Sequence, residues 1–341
     1  MNKLFKKYGK GIGLYIIVSV SLWISIFILF PQVLMFEYSF WKYDETSQEK
    51  LWEKADKVDE QIYILEKKLK NEPNNQKLKD EISLLNIEII KLDKLSQEPE
   101  KIYTTGNYEY LFSNTLHRSV FLKTIWSSVL VTVLSLIICY PIAYYLAQVA
   151  SAKAKILLFI GLIIPYWVDE LLRTFAWFMI LSYNGIINNA LMSMGLIDQP
   201  IEFFQNNSAA LIGMVYAYIL FMLFPIYNTL ESLDKNQILA GRDLGASWIN
   251  IHKKIIIPYA KPGIAVGSIF VFMMTAGTYA VPSILGGTSG IWFTQVIYSW
   301  FFDGGDWNQG SAYGLALLVL CILFIMLMLK VFKIKLEDMS K

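Results

Sequence analysis

The sequence has little charge and few of the residues that build metal or disulfide sites. Asp, Glu, Lys and Arg make up 17% of its 341 residues, whereas a typical soluble domain carries roughly 25%. The net charge of +2 gives no basic field that would indicate a nucleic-acid partner. Cys139 and Cys321 lie in apolar runs, where we interpret them as buried hydrophobes and not as a disulfide pair. His117 and His252 have no metal-type ligands beside them, so no metal site is expected.

The motifs of a self-contained ATP-driven enzyme are also missing. The sequence contains no G-x4-G-K-[ST] phosphate loop. It also offers no pairing of a nucleophile with a base. We therefore expect no catalytic residue and no cofactor bound by this chain.

Long apolar runs dominate the sequence, and 55% of its residues are hydrophobic. Charge-free runs of at least about 18 residues can cross a bilayer as helices. The predicted spans are Gly11–Phe36, Thr124–Ala152, Ile156–Leu181, Phe203–Leu230, the start of Pro262–Phe302, and Trp307–Leu329. The fifth run is too long for one span, and Pro282 with Gly286–Gly287 indicates where it leaves the bilayer. The sequence therefore predicts an all-α membrane protein with six transmembrane helices.

Basic residues alternate between the segments that connect these spans. The segments on one side hold the N-terminal lysines, Lys153, Lys155, Lys235, Arg242, Lys253, Lys254, Lys261, Lys330, Lys333 and Lys335. Asn184–Ser208 and Val281–Gly310 contain neither Lys nor Arg. Because basic loops stay in the cytoplasm, this pattern predicts a multi-pass protein with both termini inside.

Asp44–Lys101 is a charged segment between the apolar runs. Because successive spans cross the membrane in opposite directions, this segment is predicted to lie on the extracytoplasmic side. It holds 15 acidic residues and 11 lysines, a net charge of about −4. Its apolar residues alternate at spacings of four and three, the seam of a coiled coil. The seam positions are Leu51, Ala55, Val58, Ile62, Leu65 and Leu69, then Leu78, Ile82, Leu85, Ile89 and Leu92. Turn residues at Asn71–Asn75 predict an antiparallel helical hairpin, either a solvated spacer or a docking arm for a partner.

Leu239–Pro258 is a polar, basic segment between two apolar runs. Asn236–Asp243 has helical composition, and Gly245 can end a helix in the left-handed conformation. Trp248–Ile257 is amphipathic, and we expect Pro258 and Pro262 to stop it before the fifth span. Such a segment fits a loop that inserts into a partner's cleft; an ordinary interfacial amphipathic helix is the alternative.

Several motifs in order resemble the first permease subunit of spermidine/putrescine-type ABC importers. They are AGRDLGAS at Ala240–Ser247, Pro262–Ile264, GTYAVP at Gly277–Pro282, Leu285–Gly287, Asp306–Trp307 with Gly310–Ala312, Pro165–Trp167, Leu172–Trp177, Asn107–Tyr108 and Tyr140–Tyr144. The resemblance covers nearly the whole chain except Asp44–Lys101. Two departures are Leu239, where the family has its leading glutamate, and Gly241, where it has its second alanine.

The resemblance implies the type I ABC importer permease fold in a bacterial cytoplasmic (inner) membrane. It implies three parts: residues 1–43 with the first span, the inserted hairpin at 44–102, and a permease core at 103–341. The coupling loop is then 231–261. Its ATPase-coupling residues would be Leu239, Ala240, Gly241, Arg242, Asp243, Gly245, Ile255 and Pro258.

The resemblance also implies partners for this chain. They are an ABC ATPase dimer that carries ATP and Mg, a second similar permease in a heterodimer, an extracytoplasmic substrate-binding protein, and membrane lipid. A solute would then be moved by alternating access that the ATPase drives.

The predicted third span contains ionisable residues, which are functional candidates inside a membrane. Asp169 lies about 20 Å along the helix from Ile156, past the midplane of a roughly 30 Å hydrocarbon core. Asp169 and Glu170 would attract a cation, and Trp167 and Tyr279 could add cation–π contacts. These four residues are the predicted substrate pathway. As the alternative, Asp169 and Arg173 at i,i+4 neutralise each other.

Two further interpretations stay open from the sequence. The chain could be a membrane scaffold or signalling protein that acts through its coiled coil. It could also be an importer permease for another solute, such as ferric iron, a phosphonate or an opine.

Overall fold

The computed structural model describes residues 2–71, 75–97, 101–287 and 290–333, and it is mostly helical. In these residues, five helical stretches are long and apolar enough to cross a membrane. They are Gly11–Ser39, Thr115–Val149, Ser208–Glu231, Trp248–Gly277 and Trp307–Phe332. They correspond to the first, second, fourth, fifth and sixth predicted spans.

One compact unit comprises the chain up to Tyr110 together with Trp307–Ala312. Its elements are α1 (Asn2–Ile24), a π-helical turn (Ser25–Leu29), α2 (Phe30–Ser39), β1 (Trp41–Tyr43), α3 (Glu45–Asn71), α4 (Gln76–Gln97), β2 (Lys101–Tyr103) and the start of α5 (Gly106–Ser113). The two strands pair antiparallel, with Trp41 opposite Tyr103. They close the base of the α3–α4 pair.

Polar contacts around the buried Trp41 of β1 hold the base of the α3–α4 pair. The Asn107 amide donates to the carbonyl oxygens of Ser39, at 3.1 Å, and of Trp41, at 3.0 Å. The Lys101 ammonium lies 4.2 Å from the centroid of the Trp41 ring. At the Tyr108 hydroxyl, burial raises the pKa, although its hydrogen bond to Ser39 acts in the opposite direction.

The apolar seam predicted for the hairpin coincides with its shielded positions. Each of the eleven predicted seam residues is less exposed than the residues beside it in sequence, and Ile62 is fully buried. Helices α3 and α4 contact each other along this seam. Of the predicted turn at Asn71–Asn75, residues 72–74 lie outside the described residues, as does Lys335 among the predicted cytoplasmic lysines.

The second unit comprises Leu111–Asp306 and the chain from Tyr313. Its helices are α6 (Thr115–Tyr144), α7 (Ala152–Ile163), α8 (Glu170–Leu181), α9 (Ile186–Ser193), α10 (Ser208–Glu231), α11 (Lys235–Asp243), α12 (Trp248–Ile251), α13 (Ile257–Gly277), α14 (Ala280–Leu285), α15 (Phe293–Phe302) and α16 (Trp307–Phe332), which begins in the first unit. π-Helical turns extend α6 over Tyr145–Val149 and join α12 to α13 over His252–Ile256.

The centre of this unit is the contact of α10 with α13 and α6. Small residues allow α10 and α13 to approach each other closely, as is usual for helices that pack in membranes. A Cβ on Gly263 would overlap the carbonyl oxygen of Pro225, and one on Gly267 would collide with Met222. The core is therefore built on glycines in α13 that fit against the α10 backbone.

The structure corrects two details of the predicted spans. The helix does not stop at Pro258 and Pro262, because the π-helical turn at His252–Ile256 runs directly into α13, of which Pro258 is the second residue. Pro262 lies inside α13. The chain then leaves the helix at Gly277, since Thr278 is extended, and Pro282 lies within the short helix α14.

The predicted third span is broken. Helix α7 ends at Ile163, a single 3-10 turn follows at Ile164–Trp167, and α8 begins at Glu170. Pro165 lies in the first turn of the 3-10 segment, and the chain leaves helical geometry after that turn, at Val168 with ψ of 138° and at Asp169 with ψ of 148°.

Gly263→Ala is expected to destabilise the protein by about 1–3 kcal/mol, because the added methyl group meets a backbone oxygen that cannot rotate away. The measurement is thermal unfolding of the purified chain in detergent. Gly161→Ala is the control, since a Cβ there has nothing within 4 Å. Equal melting temperatures for the two variants would contradict the close packing of α10 and α13.

Candidate coupling loop and substrate pathway

The first helix of the candidate coupling loop, α11, has a defined start and end. The Asp234 carboxylate caps its N-terminus by accepting from the Asn236 N–H at 3.0 Å. At its C-terminus, the Gly245 N–H donates to the Arg242 carbonyl at 2.8 Å, and the Ala246 N–H to the Gly241 carbonyl at 3.0 Å. This is a Schellman motif. Gly245 has φ of 75°, and an added Cβ would have nothing within 4 Å. Glycine is therefore favoured there by the left-handed backbone conformation and not by a lack of space.

The loop then turns back onto the start of the fifth span. The Ser247 hydroxyl caps α12 by accepting from the Asn250 N–H at 3.4 Å. A Cβ on Gly241 would lie 3.0 Å from Ile255 Cδ1 and 3.6 Å from Ile251 Cγ1. The glycine that replaces the family's second alanine therefore brings α11 close to this segment, and two predicted coupling residues, Gly241 and Ile255, lie together.

The surface of the loop is more apolar than its basic sequence suggests. Leu239, Ala240, Arg242, Asp243, Gly245 and Pro258 are all exposed. So are the four residues that we call the apolar loop surface: Leu239, Leu244, Trp248 and Ile249. Leu244 is 88% exposed and Trp248 61%. The sequence analysis did not single out the last three; their signal was the presence of large apolar residues in an otherwise polar loop.

Three of the four candidate pathway residues, Trp167, Asp169 and Glu170, lie at the break between α7 and α8. Asp169 is the N-cap of α8, and its Oδ1 accepts from the Leu171 N–H at 2.8 Å. The Tyr218 hydroxyl on α10 donates to Glu170 Oε1 at 3.2 Å. Thr278, the residue before Tyr279, also interacts with the Tyr218 hydroxyl. Tyr218 is thus a pathway candidate that the sequence analysis missed, and it connects Glu170 with the end of α13.

Arg173 packs on an aromatic ring and does not pair with Asp169. Its guanidinium carbon lies 4.4 Å from the centroid of Tyr166, whose hydroxyl donates to the Tyr216 carbonyl at 2.6 Å. The Nε and Nη1 atoms of Arg173 are buried without a hydrogen-bond partner. Among the described residues no ion pair joins Arg173 to Asp169. The geometry therefore does not support local neutralisation of the two charges.

The structure does not bring all four predicted pathway residues together. Trp167 is 84% exposed. Tyr279 packs on Tyr298 with ring centroids 4.8 Å apart. Within the described part of the chain, Trp167 and Tyr279 make no ring contact with each other. Of these four residues, only Glu170 is connected to the end of α13, and the connection is made by the Tyr218 hydroxyl.

Residues 140–335 match the family of binding-protein-dependent transport system inner membrane components. The chain belongs to this family. The match begins at Tyr140 and therefore leaves the α3–α4 pair outside it. It contains the whole coupling loop and the broken third span.

Curated relatives carry the same likeness further toward the N-terminus. The spermidine/putrescine transport system permease protein PotB of Escherichia coli is 33% identical over 242 residues, which cover 70% of this chain and 87% of the relative. PotB of Haemophilus influenzae is 32% identical over 244 residues, covering 70% and 85%. The predicted resemblance is thereby confirmed.

The fold matches a solved importer. A chain of a bacterial alginate ABC transporter, in complex with alginate pentasaccharide-bound periplasmic protein, superposes with a TM-score of 0.57 at 16% identity. The match covers 66% of this chain and 81% of that one. It confirms an ABC importer permease fold.

Proposed function

We propose that the chain is the membrane permease subunit of a polyamine importer. It carries a cationic solute such as spermidine or putrescine into the cytoplasm by alternating access. The names of the PotB relatives support the substrate class. Within this chain, the observation that carries it is the Glu170 carboxylate, held by Tyr218 at the break in the third span. A ferric-iron, phosphonate or opine importer, or a membrane scaffold, has no such support.

A carboxylate at a helix break is suited to a polyamine. Glu170 is half-buried, and partial shielding from water strengthens the attraction of its carboxylate for an ammonium group. The hydroxyl of Tyr218 fixes the orientation of the carboxylate without neutralising it. Asp169 is held by its capping bond and adds a second negative charge one residue away. The exposed ring of Trp167 offers a face to the methylene groups and the cation, whereas the ring of Tyr279 already packs on Tyr298.

The variants Asp169→Asn and Glu170→Gln are expected to weaken spermidine uptake without unfolding the chain. Asn caps helices as well as Asp, and Gln keeps the shape that meets Tyr218. Loss of one charge contact worth about 1.4 kcal/mol would raise the KM about tenfold. The measurement is radiolabelled spermidine uptake in vesicles. Glu202→Gln, which removes an exposed charge in the α9–α10 loop, is the control, and equal KM values in all variants would reject the pathway role.

The coupling loop, we infer, binds a separate ATPase subunit through apolar contacts. ATP and Mg are bound by that partner, and this chain binds no cofactor. The family's glutamate is replaced by Leu239, and the apolar loop surface offers Leu244 beside the Gly245 turn. Buried apolar side chains at the centre of an interface usually carry most of its binding energy. Arg242 and Asp243 flank this anchor on the exposed side of α11.

Leu244→Glu is expected to weaken co-purification with the ATPase by at least tenfold, because a charge would replace the most exposed apolar anchor. Leu239→Glu makes the same chemical change five residues earlier, where the family has its acid, and should weaken association less. The measurement is the ATPase-to-permease ratio after affinity purification. If Leu239→Glu abolished association and Leu244→Glu did not, the anchor would be wrongly assigned.

Six spans with both termini inside complete the proposal. The third span is α7, the 3-10 turn and α8 taken together, and α3–α4 form a coiled-coil hairpin on the extracytoplasmic side of the membrane. The Lys and Arg distribution supports this orientation, and the shielded seam supports the coiled coil. A second similar permease, an extracytoplasmic binding protein and lipid are the remaining partners.

The orientation predicts opposite labelling of two exposed positions. In a background without Cys139 and Cys321, Ser83→Cys on α4 should react with an impermeant maleimide in intact cells. Asn236→Cys on α11 should react only after permeabilisation. Both side chains are exposed in the structure. Labelling of Asn236→Cys in intact cells would invert the topology.

A further inference from the structure

A buried histidine joins the coupling loop to a spanning helix that is distant in sequence. His252 begins the π-helical turn between α12 and α13 and is only 6% exposed. Its Nδ1 lies 2.8 Å from the Tyr140 hydroxyl on α6, a residue 112 positions away. The hydrogen bond is therefore a direct polar link between the loop and α6.

Aromatic rings enclose the same imidazole. The Trp248 ring packs on it with centroids 4.0 Å apart, and Tyr144 meets it edge-on at 4.6 Å. Trp248 belongs to the apolar loop surface. A continuous set of contacts therefore runs from the exposed loop, through Trp248 and His252, to Tyr140 on α6.

Packing alone does not explain a histidine at this position. His252 Nε2 is buried and has no hydrogen-bond partner, which is unfavourable for a polar atom. A phenylalanine ring would fill the space without that cost. The feature that histidine adds is the bond to Tyr140.

Helix α6 is suited to respond to such a link. The loop is covalently continuous with α10 through Ser232–Asp234 and with α13 through the π-helical turn. Its polar connections to α6 are made by side chains: the His252–Tyr140 bond, and the Gln148 amide, which donates to the Leu230 and Leu233 carbonyls where α10 meets the loop. Pro141 follows Tyr140 inside α6, and a π-helical turn follows Tyr144. Both features weaken the regular hydrogen-bond ladder and allow bending.

We propose that His252 is a positioning residue that transmits movement of the coupling loop to α6 through Tyr140. In this arrangement α10 and α13 follow the loop through the backbone, and α6 follows it through the hydrogen bond. The proposal rests on the proposed function, because it requires an ATPase that moves the loop.

The test uses the complete importer in proteoliposomes and measures ATP hydrolysis and spermidine uptake together. His252→Phe keeps the ring contacts and removes the bond, and Tyr140→Phe removes only the hydroxyl. Each should lower the number of spermidine molecules taken up per ATP about three- to tenfold while ATP hydrolysis persists. The double variant should be no worse than either single one, since both remove the same link. Tyr144→Phe is the control, because only its ring contacts His252, and it should match wild type.

A wild-type ratio in both single variants, or additive losses in the double variant, would overturn the proposal. A second readout does not depend on the substrate. Spin labels at Ile137→Cys on α6 and Phe221→Cys on α10, both exposed, should change separation when ATP and vanadate are added. His252→Phe should reduce that change, and an unreduced change would also overturn the proposal. Absence of spermidine uptake by the wild-type importer would instead reject only the substrate assignment.

Discussion

The rest of the structure depends on one constraint: in a bilayer, every backbone N–H and C=O group needs a partner within the protein. Continuous helices meet it along four of the spanning stretches of the second unit. Between α7 and α8 the ladder is interrupted, and side chains replace it. The Asp169 carboxylate accepts from the Leu171 N–H at the start of α8, and the Tyr166 hydroxyl connects the break to α10 by donating to the Tyr216 carbonyl. The side chains that make an interrupted span tolerable are also those that bring charge and aromatic faces to it.

The coupling loop meets a different requirement, because it must be rigid while it stays exposed. Its rigidity comes from local devices: the Asp234 cap, the Schellman turn at Gly245 and the Ser247 cap. Gly241 adds close contact with Ile255. None of these devices uses the outward-facing side chains, so Leu239 can replace an acidic residue without altering the fold of the loop. The exchange changes what the surface offers to a partner.

Sequence reasoning succeeded where the signal is periodic or local. Apolar runs located five of the six predicted spans, heptad spacing located the shielded positions of α3 and α4, and Gly245 has the left-handed conformation that was expected. It failed at Pro258 and Pro262, because prolines are tolerated inside membrane helices whose freed backbone groups find partners in neighbouring elements. It also could not find the bonds Tyr218–Glu170 and His252–Tyr140, which span 48 and 112 residues. Such contacts depend on how helices pack, and no local pattern encodes them.

Helix α10 connects the two candidate sites physically. Near one end of the third span, Glu170 and Tyr166 bond to Tyr218 and the Tyr216 carbonyl on α10. Near the other, the Lys155 ammonium lies 3.1 Å from Glu231 at the end of α10. Both halves of the broken span are therefore fastened to one helix, and three residues separate that helix from α11. A displacement of the loop carried by α10 would move α7 and α8 together, so the break need not act as a hinge. In the proposed transport cycle it would instead hold polar groups at a fixed place on α10, α7 and α8 as they move.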